Sequence, residues 1–169
     1  MAETCKQVLK DVGVSPDRMS LEWASAAEGP RFVELITSYV NNIKSLGPLG
    51  KGPEEAGKIV KRRLAASVKA ASVPKVRTAF GNLAKRLHKS SDYSPEAISK
   101  GVSEKVLPAF RKERILNEVK LCLADEGPLG LDRLAELTGA DPEELEKIIS
   151  PLVKKGILKE EGSGWALAQ

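Results

Sequence analysis

The sequence predicts a mainly α-helical protein in three parts, and three observations carry that reading. Apolar residues recur at three- and four-residue spacing along most of the chain, the stripe that an amphipathic helix turns toward a core. One stretch departs from this: Met19, Leu21 and Trp23 alternate with Ser20, Glu22 and Ala24, the period of two of a half-buried strand. Near the C-terminus two short runs, Ile157–Lys159 and Trp165–Leu167, flank Glu161-Gly162-Ser163-Gly164 and read as two strands joined by a turn. The chain divides accordingly into a helix-strand-helix segment, a short α/β remnant, at 1–48, a basic helical region at 49–111 and a helical domain closed by two strands at 112–169.

At 169 residues the chain has room for one substantial domain or two small ones with thin cores. Aromatic residues are 4% of the composition, so burial has to come from Leu, Ile, Val and Ala. There is no run of eighteen apolar residues and no charged-then-apolar leader, which predicts a cytoplasmic protein with neither a membrane span nor a secretory signal. The two cysteines, Cys5 and Cys122, are unclustered, as suits a reducing compartment. Charge is distributed unevenly. Between Lys51 and Ser91 eleven Lys or Arg face only Glu54 and Glu55, whereas Lys112 to Gln169 holds eight basic and twelve acidic residues. Such asymmetry marks a surface for a charged partner.

Taken in order, Ala2 to Val12 reads as a helix with Cys5, Val8, Leu9 and Val12 on one side, which makes Cys5 a core-facing structural thiol. Gly13 ends it, and Ser15-Pro16-Asp17 turns into the strand. After Ser25-Ala26-Ala27-Glu28-Gly29-Pro30, a helix follows with Phe32, Val33, Leu35, Ile36, Tyr39, Val40, Ile43 and Leu46 on a broad apolar stripe. Ser25 or Ser20 supplies a cap, and Pro30 suits the first helical turn. The small residues of this corner either leave backbone amides open to an anion or a docked carbonyl, or merely permit close packing. A lone strand forms no stable sheet, so the segment needs a partner, self-pairing or helix cover.

Gly47-Pro48-Leu49-Gly50-Lys51-Gly52-Pro53 is a hinge by composition. Glu54-Glu55 suit the start of the next helix, which turns Ile59, Val60, Leu64 and Val68 inward and Lys58, Lys61, Arg62, Arg63 and Lys69 outward. Pro74 interrupts, and a second helix places Val76, Phe80, Leu83, Ala84 and Leu87 inward with Lys75, Arg77, Lys85, Arg86 and Lys89 outward, so the two form a basic helical hairpin. Its charged faces recognise an acidic protein surface or a phosphate-bearing partner, or are simply solvated. Phe80 lies on the apolar stripe instead of among the cations, which speaks against stacking on nucleic acid bases. His88 has no partner at ligand spacing and reads as a surface residue. Ser94-Pro95-Glu96-Ala97 opens a short helix that Gly101 breaks, and Ser103 starts another carrying Val106, Leu107, Phe110, Ile115, Val119 and a buried Cys122, with Pro108 in its first turns or at a kink. Helices follow at Leu131–Leu137 and Pro142–Lys155, separated by Thr138-Gly139-Ala140.

Two resemblances add to this reading. Arg18, Leu21, Glu22, Trp23, Ser25, Ala26, Glu28, Gly29, Phe32 and the closing Leu46-Gly47-Pro48, with Gly13 to Arg18 before them, resemble the C-terminal end of the delta subunit family of methyl-viologen-reducing hydrogenases, over about the first 48 residues. That family consists of small iron-sulfur proteins associated with heterodisulfide reductases. The resemblance implies a [2Fe-2S] cluster held by cysteines upstream of this segment in full-length members. A cluster of this kind needs four thiolates, and with Cys5 and Cys122 alone this chain is expected to bind none by itself. It is then a fragment, or a tail that docks onto a cluster carried elsewhere. The implied partners are a heterodisulfide reductase-like flavin and iron-sulfur subunit and hydrogenase or formate dehydrogenase subunits. The expected contacts are Glu22, Trp23, Ser25, Ala26, Glu28 and Gly29, joined by Lys61, Arg62, Arg63, Lys85 and Arg86.

The second resemblance is to the winged helix-turn-helix family, over 112–169, carried by Leu134-Ala135-Glu136-Leu137-Thr138-Gly139-Ala140 and by the run Leu152 to Leu158 into the wing. In that fold the second motif helix enters the major groove. Here its first residues include Asp141, Glu143, Glu144 and Glu146, which would repel phosphates. A protein-contact role is therefore expected, while Lys154, Lys155 and Lys159 keep a DNA-binding transcriptional regulator as the alternative. No Ser/His/Asp set, zinc-protease motif, phosphate-binding glycine loop or paired catalytic carboxylates appear. The expectation is a non-catalytic accessory or truncated delta-type subunit of an oxidoreductase complex of anaerobic metabolism.

Overall fold

The computed structural model describes residues 1–51 and 57–168, which form two compact units, Met1–Val60 and Lys61–Gln169. In the first unit α1 (Ala2–Asp11) ends where Gly13 takes φ 80°, a left-handed conformation that glycine adopts without strain. Val12 and Val14 are buried, but Cys5 is only half-buried and not the core thiol that the pattern predicts. Ser15 opens a 3-10 turn, Pro16–Arg18, its Oγ accepting from Asp17 N–H at 3.3 Å. The predicted strand does not form. Met19 has β geometry (φ −130°, ψ 125°), yet Met19 to Ala24 belong to no ladder, because a ladder needs a neighbour and the unit has no other strand among its described residues. The α/β remnant is thus a helical pair linked by an unpaired segment. Helix α2 (Gly29–Leu46) begins with Pro30 in its first turn and stops at Gly47, φ 69°.

The expected opening of the next helix at Glu54-Glu55 lies outside the described residues. Helix α3 (Gly57–Ala71) runs across the division between the units. The stripe read from its sequence is only partly the buried one: Val60 is inside, but Val68 is 71% exposed while Ala66, Ser67 and Ala70 are buried. The reason is Arg62 and Arg63, which reach inward to carboxylates and fix the rotation of the helix. In α4 (Pro74–Ser90), Val76 and Leu83 are buried as the pattern predicts, whereas Ala84 is exposed. Ser94 caps α5 (Pro95–Gly101) by accepting from Ala97 N–H at 3.2 Å.

Gly101 does not end that helical run. The chain continues through a π turn, Val102–Val106, into α6 (Leu107–Glu126), so the separate start expected at Ser103 is absent. Gly101 is there for closeness, not flexibility: a Cβ at this position would collide with the side chain of Leu83 on α4. Pro108 falls in the first turn of α6, where its missing N–H breaks no established α-helical bond.

Helices α7 (Leu131–Thr138) and α8 (Pro142–Lys154) follow, then β1 (Leu158–Glu161) and β2 (Gly164–Leu167), antiparallel with Leu158 opposite Leu167 and Glu161 opposite Gly164. Leu129, between α6 and α7, bridges to Trp165 of β2. The core of this unit is aliphatic: Ile115, Val119 and Cys122 of α6 meet Leu134 and Leu137 of α7, Leu145, Ile149 and Leu152 of α8, and Leu158. Among the described residues no helix is long and apolar enough to cross a membrane.

Candidate functional site

The first unit holds its shape through polar contacts at the end of α2 rather than through a large core. Arg18 donates from Nη1 to the Gly47 carbonyl at 2.9 Å and from Nη2 to the Leu46 carbonyl at 3.2 Å, placing a cation on the negative end of the helix. Tyr39 Oη donates to the Arg18 carbonyl at 2.5 Å, and Asn42 Nδ2 to the Asp17 carbonyl at 2.9 Å. The 3-10 turn is thereby strapped to the second half of α2.

At the other end of α2 the small-residue corner is closed by its own side chains. Ser25 Oγ accepts from Ala27 N–H at 3.1 Å, and the Glu28 carboxylate reaches back to accept from Ser25 N–H at 2.7 Å. These bonds close the turn before the helix, but they do not cap it: the N-cap of α2 is Glu28, with no side-chain cap bond, so the cap expected from Ser25 or Ser20 is not made. Arg31 Nη1 lies 3.4 Å from the same carboxylate. A carboxylate already occupies the amide that an anion would seek, so the corner favours a packed partner over a bound anion.

Between the corner and the 3-10 turn, Ser20, Glu22 and Ala24 form one wall of a groove of about 380 Å³ whose other wall is Phe32, Leu35, Ile36 and Tyr39 of α2. The alternation read from the sequence survives, but with its faces exchanged. The small and polar residues face the helix, while Leu21 and Trp23 stand out in solvent, Trp23 78% exposed. Phe32, Val33, Ile36 and Val40 of α2 are exposed as well. Of the contact residues expected in this unit, Glu22, Trp23, Ser25, Ala26 and Gly29 are exposed and Glu28 half-buried, and all lie within Glu22–Gly29.

The basic residues of the second unit divide into two kinds. Lys61, Lys85 and Arg86 are exposed. Arg62 instead donates to Glu126 at 2.8 Å and to Cys122 Sγ at 3.0 Å, with Asp125 at 3.4 Å from its Nε. Arg63 bonds Glu118 at 3.3 Å and the Leu137 carbonyl at 3.5 Å. Glu118 is fully buried and also receives Arg114, one turn earlier on α6. Burial pushes the Glu118 carboxyl up to about 7 against the opposing pull of Arg114 and Arg63. Sequence reasoning missed this cluster. Its signal was an Arg and a Glu four residues apart within the apolar pattern Ile115, Val119, Cys122, a place where solvated charges do not belong.

His88 is exposed, its Nδ1 3.0 Å from the Tyr93 hydroxyl. At the start of α8, Asp141, Glu143 and Glu146 are exposed, and Glu144 lies 3.5 Å from Arg111. An iron-sulfur cluster does not fit the donors present. Cys122 is packed in the aliphatic core, where burial pushes its thiol up and disfavours the thiolate, and two cysteines are half the usual ligand set.

Residues 1–47 match the family model described as methyl-viologen-reducing hydrogenase, delta subunit. The chain is 40% identical over 48 residues to a component of the ferredoxin:CoB-CoM heterodisulfide reductase of Methanosarcina mazei, which is 28% of this chain and 6% of that protein. It is 42% identical over 45 residues to a component of the ferredoxin/F(420)H(2)-dependent CoB-CoM heterodisulfide reductase of Methanosarcina acetivorans, 27% of this chain and 6% of the relative. To the iron-sulfur subunit of the F420-non-reducing hydrogenase of Archaeoglobus profundus it is 40% identical over 42 residues, 25% of this chain and 31% of that protein. No solved structure matches the chain significantly. The likeness is thus confined to a short stretch of this chain, and that stretch spans only a small part of each relative.

Proposed function

We propose that the chain is an accessory delta-type subunit of a hydrogenase or heterodisulfide-reductase electron-transfer complex of the cytoplasm, with its first unit as the docking element. One observation carries the reading: the stretch similar to such subunits is also the stretch that leaves Leu21, Trp23, Phe32, Val33 and Ile36 in solvent. Fully burying a large apolar side chain contributes about 1.5–3 kcal/mol, so covering several of them supplies a substantial association energy. The partner is a heterodisulfide reductase-like flavin and iron-sulfur subunit, with hydrogenase or formate dehydrogenase subunits beyond it, and the clusters belong to these partners. Glu22, Trp23, Ser25, Ala26, Glu28 and Gly29 form the contact, while Lys61, Lys85 and Arg86 face an acidic surface of a further subunit.

The order α6, α7, α8, β1, β2, with Leu129 bridged to Trp165, supports reading 112–169 as a winged helix-turn-helix. The exposed carboxylates at the start of α8 give it a protein partner in preference to DNA. Anaerobic isolation of the native complex on the tagged full chain tests the proposal. The expected result is flavin and iron in fixed ratio to the chain, lost when Trp23→Ser and Phe32→Ser are combined. A chain recovered without flavin and iron, or tight sequence-selective DNA binding in a gel shift at physiological salt, overturns it.

A further inference from the structure

The unpaired segment and the bare flank of α2 have one geometric explanation. We infer that Met19–Ala24 is an edge strand lacking its neighbour, and that the neighbour is the free edge of a β-sheet in the partner subunit, to which this segment adds as the outermost strand. The identity of the partner rests on the function proposed above. The pairing itself rests on three features of the first unit.

The first is the backbone. Met19 N–H is held by the Pro16 carbonyl and Ser25 N–H by Glu28, but among the described residues the main chain of Ser20 to Ala24 between them has no backbone hydrogen bond. Five consecutive residues of donors and acceptors are left to water, in a chain with β geometry at its start. The second is the alternation of side chains, with Ser20, Glu22 and Ala24 toward α2 and Leu21 and Trp23 away from it. The segment already has the two faces of a strand, one turned to the groove along α2 and one apolar and turned away from it, and both are exposed.

The third is the width of α2. A helix with its side chains is about 10 Å across, and neighbouring strands lie about 4.8 Å apart, so a helix lying on a sheet covers about two strands. Here α2 lies along one. At 100° per residue, half-buried Leu35, Tyr39, Ile43 and Leu46 fall in one sector together with exposed Phe32, and exposed Ile36, Val40 and Val33 fill the adjoining sector on a single side. That flank is where a second strand beside Met19–Ala24 would lie.

A second copy of this chain is the weaker occupant. Two such segments would make a ribbon of two strands, marginal by itself, and pairing centred on Glu22 would oppose two carboxylates. The relatives argue for a larger body: the matching stretch is 31% of the Archaeoglobus profundus protein and 6% of the Methanosarcina proteins, so there it is attached to much more protein.

Amide hydrogen exchange of the unmodified sequence tests the inference, with the tagged full chain measured alone and within the native complex isolated anaerobically. In an edge strand every second N–H points to the neighbour. The expected result is that alternate amides among residues 20–24 slow on the order of a hundredfold in the complex while those between them stay fast. If a complex containing flavin and iron is recovered and the five amides exchange alike, strand addition is overturned and the proposed function stands. If the chain comes without flavin and iron, the functional reading falls and the partner assigned here falls with it. Alternating protection in the chain alone, growing with its concentration, would assign the edge to a second copy and overturn the partner sheet.

Discussion

The two units place their side chains in opposite ways. The second unit takes charge inside: Glu118 and Arg114 are buried beside the aliphatic core of α6, α7 and α8. The first puts aliphatic and aromatic side chains outside, among them Trp23, Phe32 and Val33, and buries Val12, Val14 and Val60. Buried charges are tolerable when each has its opposite, and Glu118 has two arginines. Exposed apolar groups have no such internal remedy; only another surface removes them from water. The second unit therefore closes over its own aliphatic core, and the first leaves an apolar surface in water, which the proposed function assigns to a partner. Similarity to redox-complex subunits falls in the first unit, which is why the proposed function is one of docking.

Breaking the closed unit should produce the largest effect. Leu134 is fully buried, so Leu134→Ala should lower stability by about 2–5 kcal/mol, the range for a cavity in an aliphatic core. Urea unfolding followed by the fluorescence of Trp165 measures it. A loss below about 1 kcal/mol would mean that the site collapses around the gap and that this core is less closely packed than its burial implies.

The buried charge sharpens the comparison through pH. The folded Glu118 carboxyl is raised to about 7, whereas in the unfolded chain it titrates near its ordinary 4.5. Between those values the folded state holds a proton that the unfolded state has released, so stability must fall as pH rises across the window. The contribution is fully present below about 4.5 and gone above about 7, with a slope on the order of 1 kcal/mol per pH unit between them. Glu118→Gln should flatten this part of the profile. Unfolding curves at intervals from pH 5 to 8 would show it, and an unchanged slope in the variant would assign the pH dependence to other groups.

What the sequence made legible follows the same divide. The helices and the terminal hairpin of the second unit could be read to within a few residues, because capping residues such as Ser94 and apolar spacing are local signals that the core then rewards. The rotation of α3 could not, since it is set by Arg62 and Arg63 reaching for carboxylates about 55 to 64 positions away. Gly101 was misread for a related reason: proximity to Leu83 is a tertiary fact, and a glycine by itself signals a break. In the first unit the period-two pattern at Met19–Ala24 was visible, but a pattern specifies a strand only when a neighbour is available. The contact proposed for Glu22, Trp23, Ser25, Ala26, Glu28 and Gly29 came from resemblance and not from spacing, whereas Lys61, Lys85 and Arg86 were separable from Arg62 and Arg63 only in three dimensions.

Two smaller effects examine the open unit. Tyr39→Phe removes the hydroxyl that donates to the Arg18 carbonyl, which should cost about 1 kcal/mol and loosen the strap between the 3-10 turn and α2. Amide exchange at Asn42 to Leu46 should speed up if that strap holds the end of the helix. The smallest effect on folding belongs to the most conspicuous side chain. Trp23 is 78% exposed and covers nothing, so Trp23→Ser should change the stability of the isolated chain by less than about 0.5 kcal/mol. Its effect on the complex should be far larger, because a tryptophan buried at an interface commonly contributes about 2 kcal/mol or more to binding. The substitution also leaves Trp165 as the sole indole, so one preparation reports both quantities. A variant that unfolds more easily would show that Trp23 already packs within the first unit, and the contrast between a closed unit and an open one would lose its sharpest member.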